Sequence, residues 1–151
     1  MAEEREIPYG QFNFIVEWDG LDGHASRAGF TEVTGLDASV STVEYRAGNS
    51  KANSPIKVSG LTHYADVHLK RGLLGSLDLY EWFNEVSRGR GIENYRMVSI
   101  SLLDESKTNV VYRWLLTNAR PVALKGPKLD ASNCAVAIEE LVLAHEGLRI
   151  E

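Results

Sequence analysis

The chain has 151 residues, a formal net charge of −5, and hydrophobic and charged fractions of 44% and 25%. That size suits one domain able to bury a core without a disulfide or metal staple, and the composition excludes wholesale disorder. The acidic balance argues against specific nucleic-acid binding, which needs a basic face, and the lone Cys134 excludes an intrachain disulfide and a cysteine-based zinc site within one chain.

No secretory or membrane signal is visible. The opening Met1-Ala2-Glu3-Glu4-Arg5-Glu6 segment is acidic, lacks an apolar stretch and is expected to be mobile. The longest purely apolar run spans only 134–138, whereas a membrane-crossing helix needs about 20 such residues. The expectation is a soluble chain made in the cytosol, without direct membrane insertion. If it leaves the cell, it does so by lysis or inside a larger particle.

Period-two alternation dominates. Phe12, Phe14, Val16 and Trp18 share one face of a first strand, which Asp19-Gly20-Leu21-Asp22-Gly23 breaks. A short strand at 30–33 closes at Thr34-Gly35. Residues 38–46 read as a longer strand with Val43 and Tyr45 opposite Val40 and Thr42, and its polar neighbours furnish it poorly for a core. A small, polar, turn-forming segment follows over 47–55, and strand character resumes at 56–58 and again at 64–71.

Leu79, Trp82, Phe83 and Val86 fall at i, i+3, i+4 and i+7 and predict a helix over 76–88. Ser76 suits its N-cap, Asp78 its first turn, Arg88 its negative pole and Gly89 its left-handed end. Val98, Ile100 and Leu102 then turn through 104–109 into Val110, Tyr112, Trp114 and Leu116, with Pro121 ending regular pairing and a loop at 125–127. A last strand from about 134 to 145 changes apolar phase across Glu139-Glu140, a shift that a β-bulge would absorb. The whole reads as one mainly β domain over 1–151 with seven or eight strands and one helix.

The pattern offers no catalytic, cofactor or metal constellation. His63 and His68, five apart on one candidate strand, point to opposite faces; His24 lies in a turn; His145 is followed by a divergent Glu146. Cys134 has no nearby base in sequence and is expected as a small buried or half-buried thiol. Gly89-Arg90-Gly91 follows a helix and lacks the third glycine of a dinucleotide fingerprint. Adjacent Glu139 and Glu140 are a poor acid–base pair, and Lys70, Arg71, Arg88 and Arg90 read as a mixed-sign surface. What remains is shape: long strands that underfill their own core suggest sheets shared with neighbouring chains, or a face lining a water-filled lumen.

Six short stretches carry a resemblance: Phe12-Asn13-Phe14-Ile15-Val16-Glu17-Trp18, Gly29-Phe30-Thr31-Glu32-Val33-Thr34-Gly35-Leu36-Asp37, Glu44-Tyr45-Arg46-Ala47-Gly48-Asn49-Ser50, Leu69-Lys70-Arg71-Gly72, Glu81-Trp82-Phe83 and Ala144-His145-Glu146-Gly147-Leu148. In this order and spacing the chain closely resembles inner tube proteins of contractile injection systems, within the contractile-tail phage tail tube family. The resemblance implies a β-sandwich or barrel-like subunit with one flanking helix. It implies hexameric rings that share a lumen β-barrel and stack into a rigid tube, which a contracting sheath drives through a target envelope. It implies partners in the sheath, baseplate or hub, tube cap and a lumen cargo, and no catalysis or cofactor.

The family's long inter-strand loop matches 46–60 here and nominates Glu44, Arg46, Asn49, Ser50 and Lys57 as contacts to neighbouring subunits and the adjacent ring. Lys70, Arg71 and Glu146 match recurrent charged positions, as interface ion pairs or as solvated charges. Two other readings compete with a tube subunit: a small β-barrel module binding a sugar or apolar ligand through residues such as Tyr112 and Trp114, and an enzyme assembled from distant residues. Against the first, these aromatics fall on apolar faces where core packing suffices; against the second, no motif has usable geometry.

Overall fold

Alternation of this kind makes strands with one apolar face, and such strands need a second layer to cover them. A computed structural model describes residues 4–19, 25–89 and 92–151, with backbone alone at 25–28 and 92. Among these it contains ten strands and one α-helix: β1 (Phe14–Asp19), β2 (Ala25–Ala28), β3 (Glu32–Thr34), β4 (Ala38–Tyr45), β5 (Ile56–Tyr64), β6 (Val67–Gly72), α1 (Asp78–Ser87), β7 (Arg96–Leu103), β8 (Val110–Lys125), β9 (Ile138–Ala144) and β10 (Gly147–Ile150). The expected break at 20–23, the turn at His24, Arg90 with Gly91, and Met1-Ala2-Glu3 lie outside the described residues.

Eight strands pair in the order β2-β1-β7-β8-β9-β6-β3, with β10 also on β8. The 16-residue β8 belongs to both layers: its first half pairs with β7 and β10, and its second half with β9. Val16, Trp18, Val98, Ile100 and Leu116 from one layer meet Val67, Leu69, Leu141 and Leu143 from the other in one buried cluster. Leu79 and Trp82 of α1 join that cluster; the Trp82 ring stacks on Trp18 at 6.0 Å and its indole N–H donates to the Asn94 carbonyl at 2.9 Å.

Several local expectations change. β1 starts at Phe14, and Phe12 stands outside it, exposed. Tyr64 ends β5 and Val67 opens β6, so His63 and His68 sit on different strands. Pro121 does not end β8: it pairs with Leu143, and the register then skips one residue before Ala123 meets Val142. A proline at a bulge forfeits no ladder bond, so the strand continues to Lys125.

The expected bulge in the last strand is absent, because β9 begins only at Ile138 and pairs with β6 without slippage to Leu143. Residues 134–137 lie off the ladder, which leaves Cys134 exposed rather than half-buried. β10 and β2 escaped the sequence reading; Ala25-Ser26-Arg27-Ala28 has no large apolar residue to mark it. The β4–β5 connection covers 46–55, shorter than the expected 46–60, because Ile56–Ser59 pair back onto β4.

Arg71 determines how α1 starts. The residue is 4% exposed, and its guanidinium donates to Glu139 Oε1 and Asp78 Oδ1, both at 2.6 Å. Asp78 thereby becomes the anchor, accepting also from Leu79 N, and Ser76 donates its hydroxyl to Asp78 instead of capping the helix. Burial alone pushes the Asp78 carboxyl up, but hydrogen bonds from Arg71 and Ser76 hold it below the ordinary carboxylate range. At the other end Gly89 takes φ of +70°, the left-handed region that glycine enters without strain. In the leading segment, Arg5 reaches Glu105 in the β7–β8 turn at 2.6 Å and lies 3.7 Å from the Tyr9 ring centroid.

Candidate functional site

Strands β3 and β6 pair from Glu32 opposite Lys70 to Thr34 opposite His68, and the same two chain segments pair again as β4 and β5 from Ala38 opposite Tyr64 to Tyr45 opposite Ile56. They form one long ribbon with a joint in the middle. Its base lies in the sandwich, and among the described residues its outer part pairs with nothing else, a two-stranded sheet of its own.

The joint is specified by Gly35. Its φ is +88°, and a Cβ built there would lie 2.0 Å from the Asp66 carbonyl oxygen. Only glycine satisfies both the backbone angle and the close approach. Ala65 N donates to Asp37 O across the joint at 3.1 Å. His145, just after β9, braces it, with Nε2 3.1 Å from Ala65 O and Nδ1 3.0 Å from Gly147 O, while its ring tilts against Tyr64. Both ring nitrogens therefore face backbone carbonyl oxygens.

Beyond the joint nearly every residue is exposed. Val40, Val43, Tyr45, Ile56, Val58 and Leu61 are each 52–75% accessible. Cross-strand partners share a face, so the outer ribbon has two unlike sides. Val43 opposite Val58 and Tyr45 opposite Ile56 make one side apolar; Thr42 opposite Ser59 and Glu44 opposite Lys57 make the other polar. Gly60 and Leu61 together oppose Ser41, a bulge that adds local twist. At the tip, Arg46 folds over its own loop and donates to Ala52 O at 2.9 Å and Ser50 O at 3.2 Å.

The structure thus brings Glu44, Arg46, Asn49, Ser50 and Lys57 onto one projecting element. It places the other three nominated charges on the body. Lys70 lies 3.6 Å from Glu32, and Arg71 is enclosed between Asp78 and Glu139. Glu146 accepts from Asn118 Nδ2 at 2.8 Å and Arg120 at 3.2 Å, bonds that lower its carboxyl below the ordinary range. Of the histidines, His63 contacts Ser41 Oγ on the ribbon, and His68 lies 2.6 Å from Glu140. Among the described residues no three His, Cys, Asp or Glu side chains converge as metal ligands. Tyr112 and Trp114 pack ring against ring at 4.8 Å, and Trp114 lines an open groove of about 660 Å³ with Phe12, Phe14, Val33 and Leu36.

A second apolar surface escaped the sequence reading. Leu73, Leu74 and Leu77 between β6 and α1 are exposed, as are Leu129 and Val136 before β9. Leu73 N donates to Ala137 O at 2.9 Å, which ties the two segments together. The available signal was the Leu73-Leu74 pair at a strand end, where turn formers are usual.

A sandwich with a satisfied core and a bare two-stranded ribbon defines a structural subunit built to assemble. The family model for the T4-like virus tail tube protein gp19 matches residues 10–149, and the chain belongs to that family of structural tube subunits. Among solved structures, a chain of the extracellular contractile injection system PVC sheath–tube complex in its extended state is 27% identical, with a TM-score of 0.84 over 97% of this chain and 93% of that one. A chain from the anti-feeding prophage cap, which terminates the tube, is 27% identical with a TM-score of 0.83, over 100% and 95% of the two chains. Hcp1 from Flavobacterium johnsoniae shares the fold at 14% identity and a TM-score of 0.51, over 90% and 94%. Comparison with curated protein sequences gives no match.

Proposed function

We propose that this chain is the inner tube subunit of a contractile injection system or phage-tail-like particle. Six copies close a ring, the rings stack into a hollow tube, and the outer ribbons complete a β-barrel around the lumen. The polar side carrying Thr42, Glu44, Lys57 and Ser59 faces water in that lumen, where cargo travels. Glu44, Arg46, Asn49, Ser50 and Lys57 act at contacts between copies, with Arg46 holding the loop that presents Asn49 and Ser50. The sheath, the baseplate or hub and a terminating cap are its other partners, in keeping with the sheath–tube and cap complexes among its relatives. The subunit is made and assembled in the cytoplasm, and its work is mechanical, with no catalytic step.

The observation that carries this reading is the unpaired β4–β5 ribbon with its apolar side in solvent. A lone hairpin is marginal in water, and its open edges invite pairing. Covering Val43, Tyr45, Ile56 and Val58 contributes roughly 1 kcal/mol each, since each is already about half covered. Association costs about 4–15 kcal/mol per copy, so one ribbon contact alone is marginal and ring closure with seeding at a baseplate decides assembly.

Native mass spectrometry and negative-stain microscopy across a concentration series test the reading. Wild-type protein is expected to give six-membered rings, and tubes when concentrated or seeded. A variant combining Val43→Asp with Val58→Asp is expected to stay monomeric with an unchanged circular dichroism spectrum. A monomer at high concentration, without rings or tubes even when baseplate is added, defeats the proposal.

A further inference from the structure

Residues 5–13 leave the body and return to it at almost the same place. At one end Arg5 donates to both carboxylate oxygens of Glu105, at 2.6 and 3.2 Å, and to Pro8 O at 3.1 Å. At the other end Leu103 N donates to Asn13 O at 2.9 Å. Leu103 closes β7 and Glu105 lies in the turn just after it, so the stretch is a loop with its ends together, the form of an Ω-loop. The two attachments differ in kind. The backbone bond at Asn13 runs on into the β1–β7 pairing, whereas Arg5 and Glu105 form an exposed ion pair, which salt screens and which holds weakly.

Between its ends the loop forms one wall of the open groove. Residues 9–12 line it together with Phe14, Leu36, Leu102 and Trp114, apolar side chains that are only partly covered. Phe12 stands at the rim. It is 73% exposed, and its ring rests against the backbone of Gly10, where a built Cβ would lie 2.6 Å from Phe12 Cε1. An apolar floor open to water thus has a large apolar ring, also in water, attached beside it.

We propose that residues 5–13 are a flap that closes over this groove in the single copy, laying the Phe12 ring on Leu102 and Trp114. The conformation described above is its open form. Closure takes the ring and the floor out of water together, and that is the driving force. Contact between the Phe12 and Trp114 rings adds to it. The movement is small: the Phe12 ring lifts off Gly10 and residues 9–12 shift inward, while Arg5 and Asn13 hold the two ends near the groove. The flap is an intramolecular competitor for the groove. Any apolar group that would settle there must first displace Phe12, so a lone copy does not adhere through this surface to unrelated chains. Closure is a property of one copy and holds whether or not rings form.

Two experiments test this on the full chain, at a dilution where native mass spectrometry shows single copies. The first uses the dye anilinonaphthalene sulfonate as a probe of open apolar surface. Phe12→Ser is expected to tighten dye binding by at least about threefold, as for a groove otherwise open no more than about a third of the time. Without closure the same substitution only removes an exposed apolar ring, so unchanged or weaker binding overturns the proposal. Ile7→Ser is the control, because Ile7 is equally exposed on the flap but stands outside the groove lining. It is expected not to tighten dye binding, and a rise equal to that of Phe12→Ser overturns the proposal. Arg5→Ala frees one end of the flap and is expected to tighten dye binding by a smaller factor than Phe12→Ser; no rise overturns the latch at Glu105.

The second experiment is NMR of the unsubstituted chain with isotope-labelled phenylalanine. Nuclear Overhauser contacts from the Phe12 ring to Trp114 and Leu102 are expected. A Phe12 ring in contact with Gly10 and with neither of these overturns the proposal and leaves the tube reading untouched.

Discussion

The sandwich body and the β4–β5 ribbon are made of similar residue types with opposite fates. In the body, Val16, Val67, Leu69, Val98, Leu116, Leu141 and Leu143 are fully covered, and Arg71, the one deeply buried cation among the described residues, is answered by two carboxylates. In the ribbon, Val40, Val43, Ile56 and Val58 are as apolar, yet all remain in solvent. The difference lies in partners: among the described residues the body strands pair within an eight-stranded sheet, and β4 and β5 pair only with each other. Body side chains hold the subunit together, and ribbon side chains are available to hold subunits to one another.

Substitutions separate the two roles. The largest effect is expected from Trp82→Ala, which removes the ring stacked on Trp18 and the hydrogen bond to Asn94; chemical denaturation should show a loss of about 4 kcal/mol. Next comes Arg71→Leu, which leaves the mostly buried Glu139 carboxylate without its partner. A loss of about 3 kcal/mol by the same measurement is expected, and a neutral result would mean that Glu139 finds water. Gly35→Ala should cost roughly 2 kcal/mol through strain at positive φ. Hydrogen exchange should then quicken at β4 and β5 while β7 and β9 keep their protection.

The Val43→Asp, Val58→Asp variant inverts this order: its unfolding free energy should stay within about 0.5 kcal/mol of wild type, while assembly is lost. A large drop in stability would place the ribbon in the body's core and dissolve the contrast between the regions. The smallest effect is acidic. Hydrogen bonds from Ser106 and Asn109 bring the Asp104 carboxyl from an ordinary 3.8 down to about 2. Because the value is lower in the folded chain, the turn's contribution is complete above the ordinary value and is lost as pH falls through about 2. Asp104→Asn should flatten the acid titration in that window alone, by NMR, and leave rings unchanged at neutral pH.

Much of the body could be read from residues. The stripe of Leu79, Trp82, Phe83 and Val86 has helical period, and α1 buries Leu79 and Trp82 from it. The 104–109 turn was marked by its polar residues, and Asp104 accepts there from Ser106, Thr108 and Asn109. The ribbon's poverty for a core was visible in Ser39, Ser41, Thr42 and Glu44, and this pointed to shared sheets. The bulge position was not legible, because alternation reports side-chain phase on one strand and a bulge depends on the partner. The continuation past Pro121 failed for the same reason: a proline is tolerated where the opposite strand asks for no N–H, and that is a fact about β9.

The sequence by itself determined the class: alternating strands with one amphipathic helix, no assembled chemistry, and six motifs in register with a tube family. Those are properties of spacing along the chain, and spacing is local. Only the tertiary structure decided that Gly35 is a joint, that Arg71 is an internal clamp on α1 rather than a surface charge, and that the loop after β6 is tied to the segment before β9 through Leu73 and Ala137. Each depends on residues tens of positions apart meeting in space, through close backbone approach, burial of charge and strand direction. Chain pairing supplies these relations, and no single segment contains them.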